Sequence, residues 1–531
     1  MLRSLFCLRN PDVDPSTQKA LSLPIVNPFS RHGRIFFFGW LSFLLSFTSW
    51  YSAAALLPDT IKGDLNLTDN EIKNSTILGG VASLIVRLIA GPLCDRFGPR
   101  YVLVAALWLS AIPAGVAGTA DNAMGLYFVR FFMGIAGAVF VPCQCLMAAW
   151  FDKRVIGTAS AFAAGWGDAG VGVTFFLMPA VFNSFRHLHD LTERVAWRLS
   201  FVVPCILLLS VGLAVLLLND DTPTGKWHER ELHQQRRPSA EPVLRSTNSS
   251  MTVFGEPSRP ENAVRKGEAK GQVDVEKQEN AGQGEVVERR GSDATTFSTD
   301  EPAPPVTPKT PYLLQLKQVI CLPTFMLGAT YFSTFGCALT VNAALLTWYM
   351  NKFGWSQTYA GNWTALFGLL NIFARPLGGI TADCLYRRFG DQRGLLAKKF
   401  WMANLCTFGG ILALLVGLLN LDTPVALIAL VSVFAIAIEA GNGATYALLP
   451  HVNSTLNGAM GGVVGASGNL GGIVGTTILR YSSIPKTIWV MGVISICVGL
   501  CIPFIDPIPS KDKKRTLYRS ATTFSFRPSF R

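Results

Sequence analysis

The sequence predicts an all-α membrane protein of twelve transmembrane helices in two pseudo-symmetric six-helix bundles. Three observations carry this. The 531 residues are 50% hydrophobic and 15% charged with a mean hydropathy of +0.35, too apolar for a soluble protein of this size. Twelve apolar runs each come close to the ~20 residues that a helix needs to cross a bilayer. Six of them lie on each side of one long polar gap, and a motif of the first six returns in the second six.

Taken in order, residues 1–33 form a polar N-terminal segment, expected to be cytoplasmic and without the pattern of a cleavable signal peptide. The first bundle is 34–218, with spans near 35–57, 77–94, 101–119, 124–147, 157–183 and 197–218. Residues 219–318 are rich in Glu, Lys, Gly, Pro, Ser and Gln and nearly free of aromatics, so they are expected to be a disordered cytoplasmic linker. The second bundle is 319–507, with spans near 319–349, 358–381, 400–420, 424–447, 458–481 and 487–506, and 508–531 is a basic tail.

The net charge of +12 would suggest nucleic acid in a soluble protein, but its placement points to a membrane instead. Arg31 and Arg34 precede span 1, Arg96 and Arg100 join spans 2 and 3, Lys153 and Arg154 join 4 and 5, and Arg387, Arg388, Arg393, Lys398 and Lys399 join 8 and 9. With alternating spans these all fall on one side, which the positive-inside rule assigns to the cytoplasm together with both termini. Asn66-Leu-Thr68 and Asn74-Ser-Thr76 are glycosylation sequons on the other side. The eleven cysteines lie mostly inside spans without paired spacing and read as small apolar residues, not as disulfides or metal ligands. In the linker, Ser239 and Ser292 each follow an arginine pair; they fit sites for basic-directed kinases, and equally the chance content of a Ser/Arg-rich loop.

Two stretches carry the functional signal. Ala159–Phe182 is apolar, yet it holds Gly165, Gly167, Gly170 and Gly172 around one carboxylate, Asp168. A charge at that depth costs several kcal/mol unless it faces a cavity or a partner, which makes it a functional-site candidate. Gly461–Ile478 repeats the pattern, with Asn469 in place of the aspartate and Gly468 beside it. Such glycines admit either a neighbouring helix or a ligand to the backbone.

The second repeat lies at the ends of spans 2 and 8. Arg87 precedes Asp95 by eight residues with Gly91 at the fourth, and Arg375 precedes Asp383 in the same way with Gly379 between. Eight residues rise about 12 Å, so each arginine lies well inside the membrane while each aspartate stands at its cytoplasmic edge, able to latch neighbouring helices. Arg130 is a further arginine within span 4, open to a structural role or to proton or substrate handling.

The segment Gly91–Arg100 resembles the signature loop of the major facilitator superfamily, and Arg130-Phe-Phe-Met-Gly134 resembles its RxxxG motif. Ala164–Gly172 and Gly465–Gly472 are similar to the paired signatures of the nitrate/nitrite porter family, and Ala440–Ala444 running to His451 resembles its fungal members. This resemblance covers both bundles and leaves out the linker and termini. It implies the major facilitator fold and import of nitrate, and of nitrite as a further candidate, with protons by alternating access; no cofactor and a monomer are expected, and the fungal-like linker and basic tail favour the plasma membrane, with the vacuole as the alternative. It further implies that Arg87 and Arg375 hold the anion, with Tyr331 beside them.

The residues support this independently. A guanidinium is planar, permanently charged and forked, suited to a planar monoanion. Two of them repel until an anion lies between them. At ~6 Å and an effective dielectric of ~20 each charge pair is worth about 3 kcal/mol, enough for binding to draw the halves together. Each arginine has the alternative of a structural residue paired to a neighbour. The site residues expected are therefore Arg87, Arg375, Tyr331, Asp168, Asn469, Gly167 and Gly468, with Asp168, Arg130, Asp95 and Asp383 as candidates for coupling and conformational change.

Two positions depart from the family pattern. Asp168 stands where the first signature has asparagine, and Ala338 where eukaryotic relatives have a glutamate in span 7. Asp168 is expected either to take up a proton with the anion or to form a standing salt bridge to Arg87 or Arg130. The alternatives for function are a carrier of another small anion and a nitrate sensor without transport. No HExxH, GxSxG or P-loop pattern suggests an enzyme.

Overall fold

The computed structural model describes residues 5–7, 10–25, 27–188, 190–229, 312–452 and 456–505. Among these are twelve helices long and apolar enough to cross a membrane. Spans 1 to 6 are Arg31–Leu65, Asp69–Phe97, Pro99–Thr119, Ala123–Trp150, Ile156–His187 and Glu193–Leu218. Spans 7 to 12 are Leu322–Phe353, Gln357–Phe389, Gln392–Leu419, Pro424–Val452, Asn457–Tyr481 and Ile484–Phe504.

Local chemistry sets the ends of these helices. Thr68 and Glu71 form a reciprocal capping box at the start of span 2, and Ser30, Asn122 and Ser356 cap spans 1, 4 and 8 through their side chains. Spans 2 and 8 each end on a glycine with positive φ, Gly98 at 92° and Gly390 at 75°, which turns the chain sharply into the next span. Large apolar side chains such as Ile112, Phe128, Leu217, Phe373 and Leu418 are exposed on the outer flanks of the helices. That outward apolar surface suits lipid, not water.

The buried interior lies between two sets of six. Span 2 packs along span 11 and span 5 along span 8, so each half contributes one helix to each of two matching contacts with the other. Arg96, Arg100, Lys153, Arg154 and Arg387 lie at one end of the bundle, called here the basic face, and Arg387 Nε donates across the halves to the Arg154 carbonyl at 3.1 Å.

The two ends of the polar gap, expected to be disordered, are ordered. Asp220 pairs with Arg31 and Arg34, Asp221 pairs with Arg100, and Trp227 Nε1 donates to the Asp95 carbonyl, so 219–229 is fixed to the basic face by charge and packing. At the other end Tyr312–Val319 is helical. Ser239, Ser292 and the basic tail 508–531 lie outside the described residues. The N-terminal segment forms a short parallel pair, Phe6–Cys7 with Leu23–Pro24, and Lys19 Nζ donates to the Ala148 carbonyl at 2.7 Å.

Candidate functional site

Arg87 is fully buried on span 2. Span 4, opposite it, is not one continuous α-helix: Gly134–Ala138 winds as a 3₁₀ segment between Ala123–Met133 and Phe140–Trp150. Gly134 lets the segment lie directly against span 2, where a Cβ would fall 2.2 Å from the Gly79 carbonyl oxygen. The Gly137 carbonyl of the 3₁₀ segment accepts from Arg87 Nε at 2.9 Å and Nη2 at 2.7 Å. Arg87 Nη1 reaches into the other half and donates to the Gly465 carbonyl on span 11 at 2.9 Å.

Arg375 repeats the arrangement from span 8 with charged partners. Its Nε donates to Glu439 Oε2 on span 10 at 3.0 Å, and its Nη2 pairs with Asp168 Oδ2 on span 5 at 2.5 Å. Glu439 also accepts from Asn442 Nδ2 at 2.8 Å, and Asn442 accepts in turn from Thr334 on span 7 at 2.7 Å. Each arginine thus holds one partner in its own half and one in the other, by the symmetric sequence of spans 2, 4 and 11 or 8, 10 and 5. The chemistry differs: Arg87 is met by carbonyls, Arg375 by two carboxylates.

A single aromatic ring lies beside both. The guanidinium carbons of Arg87 and Arg375 are 5.2 and 5.4 Å from the Phe335 ring centre, within cation–π reach. Tyr331 stacks on Phe335 with centroids 4.7 Å apart and planes 5° apart, and its buried hydroxyl has no hydrogen-bond partner among the described residues. Asn469 meets Ser83 at 2.7 Å; with its carbonyl oxygen on that side it also accepts from Arg87 Nε and the Leu84 N–H at 3.3 Å. Asp168 and Asn469 therefore hold matching places, one beside each arginine.

The expected residues separate into groups. Arg87, Arg375, Tyr331, Asp168 and Asn469 converge. Gly468 stands beside them because a Cβ there would come within 2.5 Å of the Tyr331 ring. Gly167 faces elsewhere, with a Cβ position 1.8 Å from Phe43 of span 1, so it serves helix packing. The salt bridge expected of Asp168 to Arg87 or Arg130 is instead made to Arg375, in the other half. Ala338 is buried on span 7.

Asp95 and Asp383 lie at the basic face and latch helix starts in the opposite half. Asp95 accepts from the Gly458 and Ala459 N–H groups at 3.0 and 2.8 Å, at the beginning of span 11. Asp383 accepts from the Thr158 N–H and hydroxyl at 2.6 and 2.9 Å, at the beginning of span 5, and pairs with buried Lys398 at 2.9 Å. Carboxylates suit helix starts, where unpaired N–H groups and the helix dipole favour negative charge.

Towards the opposite face a cavity of about 80 Å³, continuous with solvent, opens between the halves. Arg130, Trp50, Thr76, Phe175 and Asn342 line it, and Asn469 lies at its inner end. The molecule is thus closed by two carboxylate latches on the basic face and hollow on the other.

Glu439 and Phe335 escaped the sequence reading. Glu439 is the one carboxylate in span 10, and the rule that singled out Asp168 applies to it equally. Phe335, one phenylalanine among 35, carries no such signal.

A model of the Major Facilitator Superfamily matches residues 39–476 and 324–531. The chain belongs to this superfamily. Elsinochrome transporter 1 of Elsinoe fawcettii is 31% identical, covering 94% of this chain and 97% of its own. High affinity nitrate transporter 2.5 of Arabidopsis thaliana is 30% identical over 92% of this chain and 82% of the relative, and Nitrate/nitrite transporter NrtP of Nostoc punctiforme is 27% identical over 90% and 93%. This Major Facilitator Superfamily protein is accordingly a multi-pass membrane protein similar to nitrate porters, and not an enzyme.

Proposed function

We propose that this chain imports nitrate, and nitrite as a second substrate, together with a proton, by alternating access across the plasma membrane with both termini in the cytoplasm. The observation that carries the reading is the pair of buried guanidinium groups, one from each half, that share the Phe335 ring. The similarity to nitrate porters supports the choice of anion.

Charge supports the coupling. Arg87 and Arg375 balance Asp168 and Glu439, so the buried cluster is neutral before an anion arrives. A monoanion adds one negative charge in a medium where that is costly, and one proton on Asp168 restores neutrality while freeing Arg375 to donate to the anion. Asp168 Oδ1 has no partner among the described residues and is available for that proton. The latched basic face and the hollow opposite face correspond to a carrier waiting for substrate from outside.

Uptake of labelled nitrate by cells without their own carriers, with nitrite and chlorate as competitors and the external pH varied, tests this. Uptake that nitrite competes for and that grows with an inward proton gradient is expected; an absence of nitrate uptake in cells with the protein in their membrane overturns it.

A second reading has its own support. Aromatic side chains, Trp50, Tyr51 and Phe175 among them, line the cavity, and one relative is named for elsinochrome. Export of an organic anion in place of nitrate uptake would favour it.

A further inference from the structure

Arg130 has no carboxylate partner among the described residues, although it is only 5% exposed. Its Nη1 reaches the Trp50 carbonyl at 3.3 Å and its Nη2 the Thr76 hydroxyl at 3.4 Å, both long bonds, and its Nε has no hydrogen-bond partner among the described residues. Across the cavity that it lines, the buried Oδ1 of Asn342 also has no hydrogen-bond partner among the described residues. The other buried arginines differ: Arg375 has two carboxylates and Arg87 three short bonds to carbonyls. An enclosed cation without a carboxylate partner, with spare donors next to an open cavity, is an anion-binding arrangement.

Its height in the membrane is set by Gly79, whose Cβ position lies 3.1 Å from the Arg130 carbonyl. Gly79 precedes Arg87 by eight residues on the same helix, which places Arg130 about 12 Å outward of Arg87. Asn469 connects the two levels, since it both lines the cavity and contacts Ser83 beside Arg87.

We infer that Arg130, Thr76 and Asn342 form an outer binding station for a small monovalent oxyanion, occupied before the anion passes Asn469 to Arg87 and Arg375. This rests on the small-anion reading above. The guanidinium supplies charge and donors, the Thr76 hydroxyl a third donor by exchanging its 3.2 Å bond to the Ile72 carbonyl, and the Asn342 amide a fourth. Such a station concentrates the anion at the mouth of the inner site without contributing to its movement across the membrane.

The test measures nitrate binding to the purified full-length protein in lipid nanodiscs, beside uptake kinetics. Wild type is expected to bind two nitrate ions, Arg130→Gln one, and the Arg87→Lys/Arg375→Lys variant the outer one only. In uptake, Arg130→Gln raises KM about tenfold and leaves the maximal rate within twofold. Thr76→Val and Asn342→Leu raise KM in the same direction with unchanged melting temperature, a separation that a purely structural tie would not give. If Arg130→Gln does not fold, the Thr76→Val/Asn342→Leu double variant decides, and an unchanged KM overturns the station. Wild type that binds one nitrate, lost on Arg87→Lys/Arg375→Lys and kept in Arg130→Gln, overturns the station alone; wild type that binds none overturns the nitrate reading as well.

Discussion

Arg375 of span 8 and Asp168 of span 5 form an ion pair across the two halves, 2.5 Å apart and almost wholly enclosed. Because it joins the halves, the pair must loosen whenever they move over the site, and a proton on Asp168 is a simple way to loosen it. Asp168→Asn is therefore expected to keep nitrate uptake while abolishing its rise at lower external pH. The measurement is initial uptake rate between pH 5 and 8; a pH profile that follows wild type removes Asp168 from the coupling.

The same pairing makes Arg375 the more delicate arginine. Truncation to Gln strands two buried carboxylates, a penalty of about 3–5 kcal/mol. Arg87→Gln strands only carbonyls, each about 1–3 kcal/mol. Arg375→Gln should melt at a lower temperature than Arg87→Gln, and Arg375→Gln/Asp168→Asn should recover part of the difference. Both single variants should lose at least ~30-fold in uptake efficiency, about 2 kcal/mol of lost interaction.

Tyr331 offers a cleaner separation of stability from binding. Its hydroxyl has no hydrogen-bond partner among the described residues, while its ring packs on Phe335. Tyr331→Phe should retain the wild-type melting temperature and raise KM several-fold, about 1 kcal/mol for one hydrogen bond to the anion; an unchanged KM would place the hydroxyl outside the site.

The glycines of the stretch Gly461–Ile478 are not equivalent. A Cβ on Gly471 would lie 2.0 Å from the Phe332 carbonyl oxygen, and one on Gly468 2.5 Å from Tyr331, whereas one on Gly461 meets nothing within 4 Å. Gly461→Ala should leave the level of folded protein in the membrane and the uptake unchanged, and Gly471→Ala should lower both. Equal effects would show that spacing alone, not contact, governs this helix.

How much of this was legible in the sequence follows from what each residue type signals. The spans are long apolar runs and declare themselves, as do Arg87, Arg375 and Asp168, charges too deep to be accidental. Their partners are less legible, because a partner in the other half is fixed by tertiary packing: nothing near Asp95 says that it meets Gly458, or near Asp168 that it meets Arg375. Glu439 was readable by the same rule and overlooked amid Ala, Ile and Gly neighbours. Phe335 could not be read at all, since its role is a position between two guanidinium groups and not a chemistry of its own.

The latches at Asp95 and Asp383 have a mechanical corollary. Each half offers one acceptor and one helix start, exchanged reciprocally about a twofold relation, so a rigid swing of one half away from the other strains both corners together. The inner gate then behaves as a single cooperative unit with two clasps, in which weakening one lowers the barrier for both and a half-ajar carrier has little to hold it.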